Sequence, residues 1–130
     1  MSKHLSITNE TKSNPPISGL LFVKMKDEIL GKNYALSLAF VSASEIQKLN
    51  LIYRKKDMPT DVLSFSYGKQ EGEILICEKI AREKAAAFSR APRAHLIFLF
   101  IHALLHLKGM LHGSRMEAQE AKWLKKFQSA

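Results

Sequence analysis

Phe98-Leu-Phe-Ile-His102-Ala-Leu-Leu-His106-Leu-Lys-Gly109-Met-Leu-His112 holds three of the chain's five histidines, separated by four and then six residues. Working outward, Pro92 suits a first helical turn, and Leu96, Ile97, Leu99, Phe100, Leu104 and Leu105 are apolar nearly all round the helix that follows. The pattern predicts a buried central helix running to about Lys108. Residues four apart on a helix share one face, so the imidazoles of His102 and His106 converge. Gly109 reaches the left-handed conformation that ends helices, which lets the chain fold back and bring His112 to the same point.

Three neutral imidazoles without a thiolate are the ligand set of a catalytic zinc, the fourth position being left to water or substrate. His-x3-His-x2-Gly-x2-His is also the spacing of zinc proteases of the metzincin type, in which a glutamate directly follows the first histidine as general base. Here that position is Ala103, and a methyl group takes no proton. Two plainer readings compete. The histidines could simply ride on an apolar helix, although three unpaired imidazoles in such surroundings are costly. A closed structural zinc is the other, although such sites usually have four ligands and at least two cysteines.

At 130 residues the chain is predicted to form one domain, residues 1–130, with an ordinary globular composition of 46% hydrophobic and 25% charged residues. Cys77 is the only cysteine, which excludes an internal disulfide and fits a reducing compartment. The first residues have no apolar run of signal-peptide length, and Leu96 to Leu107 is shorter than the roughly 20 residues of a membrane span. Neither export nor a membrane span is expected. Twenty Lys and Arg against twelve Asp and Glu give a net charge of +8, which favours polyanionic partners; RNA, DNA and anionic membranes all meet that description, and charge alone does not choose among them.

Along the chain, Leu5 and Ile7 mark a weak strand. Pro15-Pro16 open a helix with Ile17, Leu20, Leu21, Val23 and Ile29 apolar, closed by Gly31. Tyr34 to Val41 leans to strand, and Ser42-Ala-Ser-Glu45 reads as a capping box for a helix with Ile46, Leu49 and Ile52 inward. Tyr53-Arg-Lys-Lys-Asp-Met-Pro-Thr-Asp-Val-Leu-Ser-Phe-Ser-Tyr67 is predicted as a basic loop running into a strand at Val62, in which Arg54, Lys55 and Lys56 offer phosphate-binding charge. Gly68 to Gly72 is a turn, Glu73 to Cys77 a strand and Glu78 to Phe88 a helix. Ser114-Arg-Met-Glu117 reads as a second capping box, starting a last helix to about Phe127 with Met116, Trp123, Leu124 and Phe127 on its apolar side. His95, two turns before His102, lies too far along the helix to share its ion.

Four stretches together resemble the YbeY family of bacterial zinc-dependent endoribonucleases, also called rRNA maturation factors. They are Tyr53-Arg-x-Lys-Asp-x-Pro-Thr-Asp-Val-Leu-Ser-Phe65, Gly72-Glu-Ile-x-Ile76, Ile80-Ala-Arg82 and His102-x-x-Leu-His106-Leu-x-Gly-x-x-His112. The resemblance implies an α+β, zincin-like domain, a small mixed sheet packed with helices around the histidine helix, and one Zn2+ per chain on His102, His106 and His112. It also implies cytoplasmic processing of small-subunit ribosomal RNA at the 16S 3′ end and ribosome quality control, with ribosomal proteins and the GTPase Era as associated partners and no membrane partner. Arg54 falls on the family's functionally important arginine. One departure stands out: Gly109-Met-Leu-His112 replaces the family's Gly-Tyr-Asp-His, which removes a carboxylate beside the third ligand. Loss of a carboxylate that orients a ligand is expected to weaken metal binding by about tenfold or more.

The expected activity is cleavage of single-stranded RNA, with zinc-activated water attacking the phosphodiester and Arg54 stabilising charge on the phosphate. Asp61 is expected to orient the Arg54 loop, and Ser64 to start the following strand. The alternative of another class is a non-catalytic rRNA-binding assembly factor with a structural zinc. A small zinc peptidase is disfavoured by Ala103.

Overall fold

A computed structural model describes residues 4–129, in the order β1 (Leu5–Asn9), α1 (Gly19–Leu30), β2 (Ala35–Phe40), α2 (Ala43–Arg54), β3 (Val62–Gly68), β4 (Glu71–Ile76), α3 (Glu78–Ala87), α4 (Pro92–Leu107) and α5 (Ser114–Phe127). The expected α+β architecture with a mixed sheet is present. Strands run in the order β1-β2-β4-β3, with β1–β2 and β2–β4 parallel and β3–β4 antiparallel. The two strands flanking the turn at Lys69 and Gln70 therefore form a hairpin, with a bulge between Ser66 and Gly68.

Alternation along the strands sorts the sheet into two faces. Leu36, Leu38, Phe40, Ile74 and Ile76 join α1 and α4 in the main core, where Phe22 meets Phe100 edge-on at 4.9 Å. Such a pair adds about 0.5–1.5 kcal/mol to its area burial. On the other face a smaller cluster of Val41, Leu63, Leu75 and Cys77 packs against Ile46 of α2. The histidine helix α4 is the centre of the molecule: it packs on α1, α3, α5 and β3, and Ile97, Phe100, Ile101 and Leu104 are wholly buried. Among the described residues no helix is long and apolar enough to cross a membrane.

Several local expectations need correction. The first helix begins after Ser18, whose Oγ accepts from the Leu21 amide at 3.2 Å, so Pro15-Pro16 belong to the approach and not to the helix. Its buried side includes Lys26, whose Nζ donates to the Lys32 carbonyl at 3.1 Å, while Leu20 is 78% exposed. In α2, Ile46 is buried and Ile52 exposed, because Ile52 lies a third of a turn round the helix from Ile46. Asn50 holds the inward position, donating from Nδ2 to the Met58 carbonyl at 3.0 Å. The second capping box does not form: Gly113 is the N-cap of α5 and no side chain caps it.

Gly72 ties the hairpin to the histidine helix. A Cβ there would lie 2.4 Å from the Tyr34 hydroxyl, 3.0 Å from the Phe65 carbonyl oxygen and 3.1 Å from Leu107 Cδ2. Only a glycine lets β4 pass this close to the end of α4. Gly72→Ala is expected to cost about 1–3 kcal/mol, as overpacking of a filled core does, and thermal denaturation measures it as a lower Tm.

Candidate metal centre

The two helical histidines are held by different partners. His102 donates its Nδ1–H to Glu120 Oε2 at 2.6 Å, and His106 donates its Nδ1–H to the Met110 carbonyl at 3.1 Å. Each ring is thereby fixed in the tautomer whose Nε2 carries the lone pair. These two Nε2 atoms face each other at 3.1 Å. Acceptor against acceptor is repulsive unless a cation or proton lies between them.

The helix end that delivers His112 is the one expected of Gly109. Gly109 has φ +102°, its amide bonds to the His106 carbonyl at 2.9 Å, and the Met110 amide bonds to the Leu105 carbonyl at 3.0 Å. Those two bonds make a Schellman turn. It swings His112 back until its ring centroid is 5.1 Å from that of His102 and 4.5 Å from that of His106. One nitrogen from each of the three rings lies within 4.8 Å of the others, a group that could hold a metal ion.

The donor set fits zinc. Tetrahedral zinc with bonds of ~2.0–2.1 Å to nitrogen sets two ligand atoms about 3.3 Å apart, close to the spacing of His102 and His106. Burial, and then the neighbouring His102 and His112 rings, hold the His106 pKa below the ordinary histidine value. That direction keeps the ring neutral and its lone pair available.

Beside the imidazoles lies a recess of about 230 Å³ whose wall includes Arg54, Thr60, Asp61 and Ser64. Arg54, the last residue of α2, is thus brought to the histidines, and its charge is among the influences lowering the His106 pKa. Lys55 and Lys56 follow it but do not line the recess. Both are exposed, and Lys55 takes the left-handed conformation that ends α2. Asp61 faces away from the role expected of it: its carboxylate lies 3.5 Å from Lys84 Nζ and 4.0 Å from His95 Nε2. The Arg54 loop is tied instead by Asn50 and by Gln47, whose Nε2 donates to Asp57 Oδ1 at 3.0 Å. Ser64 is the third residue of β3, which Val62 begins, and it lines the recess. Burial pushes the His95 pKa down against the pull of Asp61, which leaves this ring neutral and outside the imidazole group.

Glu120 is the residue that reading the sequence missed. The carboxylate absent at position 111, where Leu111 is 84% exposed, has a counterpart from another helix, acting on His102.

A family model described as Endoribonuclease YbeY matches residues 3–128. The Endoribonuclease YbeY of Finegoldia magna is 42% identical over 92 residues, a match spanning 65% of this chain and 60% of that protein. That of Staphylococcus carnosus is 34% identical over 116 residues, covering 80% of this chain and 76% of that protein. A solved protein of Thermotoga maritima superposes with a TM-score of 0.65 at 29% identity, covering 96% of this chain and 89% of its own. With a family model reaching almost from end to end and relatives this similar over most of the sequence, the chain belongs to the YbeY endoribonuclease family.

Proposed function

We propose that this chain is a zinc-dependent endoribonuclease of a zincin-like kind that cuts single-stranded RNA. Its setting is cytoplasmic maturation of small-subunit ribosomal RNA, at the 16S 3′ end, and ribosome quality control. The observation that carries the reading is the pair of Nε2 lone pairs held face to face by Glu120 and the Met110 carbonyl, with His112 folded against them and Arg54 on the adjoining wall. His102, His106 and His112 would hold the ion. Zinc bound there supplies Lewis acidity and a nucleophilic water at neutral pH.

The protein's own residues do the rest. Arg54, with five donors in a planar fork, binds the non-bridging phosphate oxygens and is best matched to the charge that builds on them as the bond breaks. Asp61 is the carboxylate lining this recess, and it is paired with Lys84 at 3.5 Å. The net charge of +8 draws the RNA backbone in and makes its binding salt-dependent. Ala103 lines this recess where a metzincin has its base, and its methyl takes no proton.

Metal analysis of purified protein, run beside cleavage of single-stranded RNA and of denatured casein, tests the reading. One zinc per chain with RNA cut and casein intact is the expected result. Zinc with neither substrate cut would favour the assembly-factor alternative, and absence of metal after growth in zinc would overturn the site. A finer expectation concerns Glu120. Glu120→Gln keeps the shape and removes the charged acceptor that orients the His102 ring, so zinc affinity should fall about 10- to 100-fold, read by competition with a chromophoric chelator.

A further inference from the structure

Two of the imidazoles are shared by two recesses. His102 and His112 line the one that holds Arg54, and they also line a second recess of about 420 Å³ whose wall includes Arg90 and Phe98. Beyond the imidazoles and Glu120, which holds His102, the chemistry described so far leaves that second recess unused.

Its two outer residues are placed by defined local structure. α3 ends in a Schellman turn with Ser89 in the left-handed conformation at φ +55°, the Ser89 amide bonding to the Ala86 carbonyl at 3.1 Å and the Arg90 amide to the Ala85 carbonyl at 2.8 Å. This turn throws Arg90 across onto α4, where its guanidinium carbon stands 4.8 Å from the centroid of the Phe98 ring. Phe98 lies one helical turn before His102, so the two rings are neighbours along the helix, 6.0 Å apart and tilted by 31°. The aromatic ledge is therefore fixed relative to the imidazoles.

We infer that the Arg90–Phe98 recess takes one nucleobase of the RNA, the base next to the phosphate bound between the imidazoles and Arg54. This rests on the endoribonuclease reading above. Three features select a base over a second phosphate. An aromatic ring and a guanidinium plane offer stacking faces, which every base can use. The floor is apolar, formed by Met116 and Leu124. Glu117 and Glu120 also line the recess, and they repel a phosphate, whereas Glu117 accepts from the amino groups of a base. A strand passing over these shared imidazoles lays a phosphate on them and places the adjoining base in the recess. Bases in a duplex are stacked and paired and cannot do this without being flipped out, which makes the recess a physical source of single-strand preference.

The test is an anisotropy titration of the zinc-loaded protein with a short phosphorothioate-linked RNA strand, each base in turn replaced by an abasic ribose. Wild type is expected to lose about tenfold in affinity at one position. Phe98→Ala should lose about tenfold on the intact strand and become indifferent to that abasic position, whereas Phe98→Trp should behave as wild type. Equal abasic penalties in wild type and Phe98→Ala, or no sensitive position in wild type, would overturn the inference. Circular dichroism and zinc content check that Phe98→Ala folds. If it does not, the exposed Arg90→Ala carries the same comparison, with the same two outcomes. Cleavage is scored separately, so a protein that binds with this base dependence and never cuts would sink the endoribonuclease reading and leave the base site standing.

Discussion

His106→Ala is expected to leave the protein folded, strip it of zinc and reduce RNA cleavage to background. The metal loss follows from ligand number. Apparent zinc-binding energies of ~10–16 kcal/mol are shared among the ligands of a site, so removing one of three imidazoles should weaken binding by roughly two to four orders of magnitude. The sign of the effect on the metal-free protein is the sharper prediction. Held at 3.1 Å, the His102 and His106 acceptors would repel each other with no cation between them. Deleting one relieves that repulsion, and the ring lost is only half-buried. The metal-free variant should therefore melt at or slightly above the metal-free wild type. Wild type gains stability with added zinc, about 2.7 kcal/mol at a hundredfold excess over Kd, and the variant should gain none in that range. Differential scanning calorimetry with and without zinc separates these cases. A variant that still takes up one zinc per chain would remove His106 from the ligand set, and a metal-free variant that melts far lower would mean that the ring serves the fold.

The parts of this site that were legible in the sequence are those encoded by short spacing. Two histidines four apart and a glycine three residues beyond the second specify a face, a turn and a return, and the backbone realises them at Gly109 and Met110. Strand and helix order were legible for the same reason, each being a local pattern. Glu120 was not, because its partner lies 18 residues away on another helix. A signal was nevertheless present: Met116, Glu120, Trp123 and Phe127 form one stripe at helical spacing, and a carboxylate inside an apolar stripe needs a partner. The exposure of Leu20 and Ile52 shows the limit of apolar counting, since what faces inward on α1 and α2 is decided by Lys26 and Asn50, each with a carbonyl to satisfy. Ser114 and Glu117 have capping-box spacing, but the cap position went to Gly113, where the chain leaves His112. Lys55 and Lys56 could not be separated from Arg54 by composition. Only the end of α2 shows that one of the three charges faces the histidines.

Arg54→Ala is expected to lower kcat by about 100- to 1,000-fold, the range for removing one preorganised donor from a developing anion, while KM for RNA changes by less than about threefold. The small change in binding follows from number. Arg54 is one of twenty basic residues, and ground-state affinity is spread over the whole basic surface. The large change in turnover follows from place, because Arg54 lines the same recess as all three imidazoles. Arg54→Lys should recover little of the loss, since an ammonium cannot present two parallel donors to two phosphate oxygens. Lys55→Ala with Lys56→Ala makes the contrast: kcat should hold, KM rise several-fold, and the salt dependence of binding become shallower by roughly one to two in its logarithmic slope. Zinc content must be read in parallel, with a definite expectation. Arg54 adds positive potential at His106, so its removal should leave zinc affinity unchanged or slightly higher, opposite to the effect of Glu120→Gln. Arg54 is exposed at the end of its helix, so the substitution should leave Tm unmoved. If kcat and RNA affinity instead fall together, Arg54 belongs to docking, and the charge on the transferring phosphate is met by other residues of the recess.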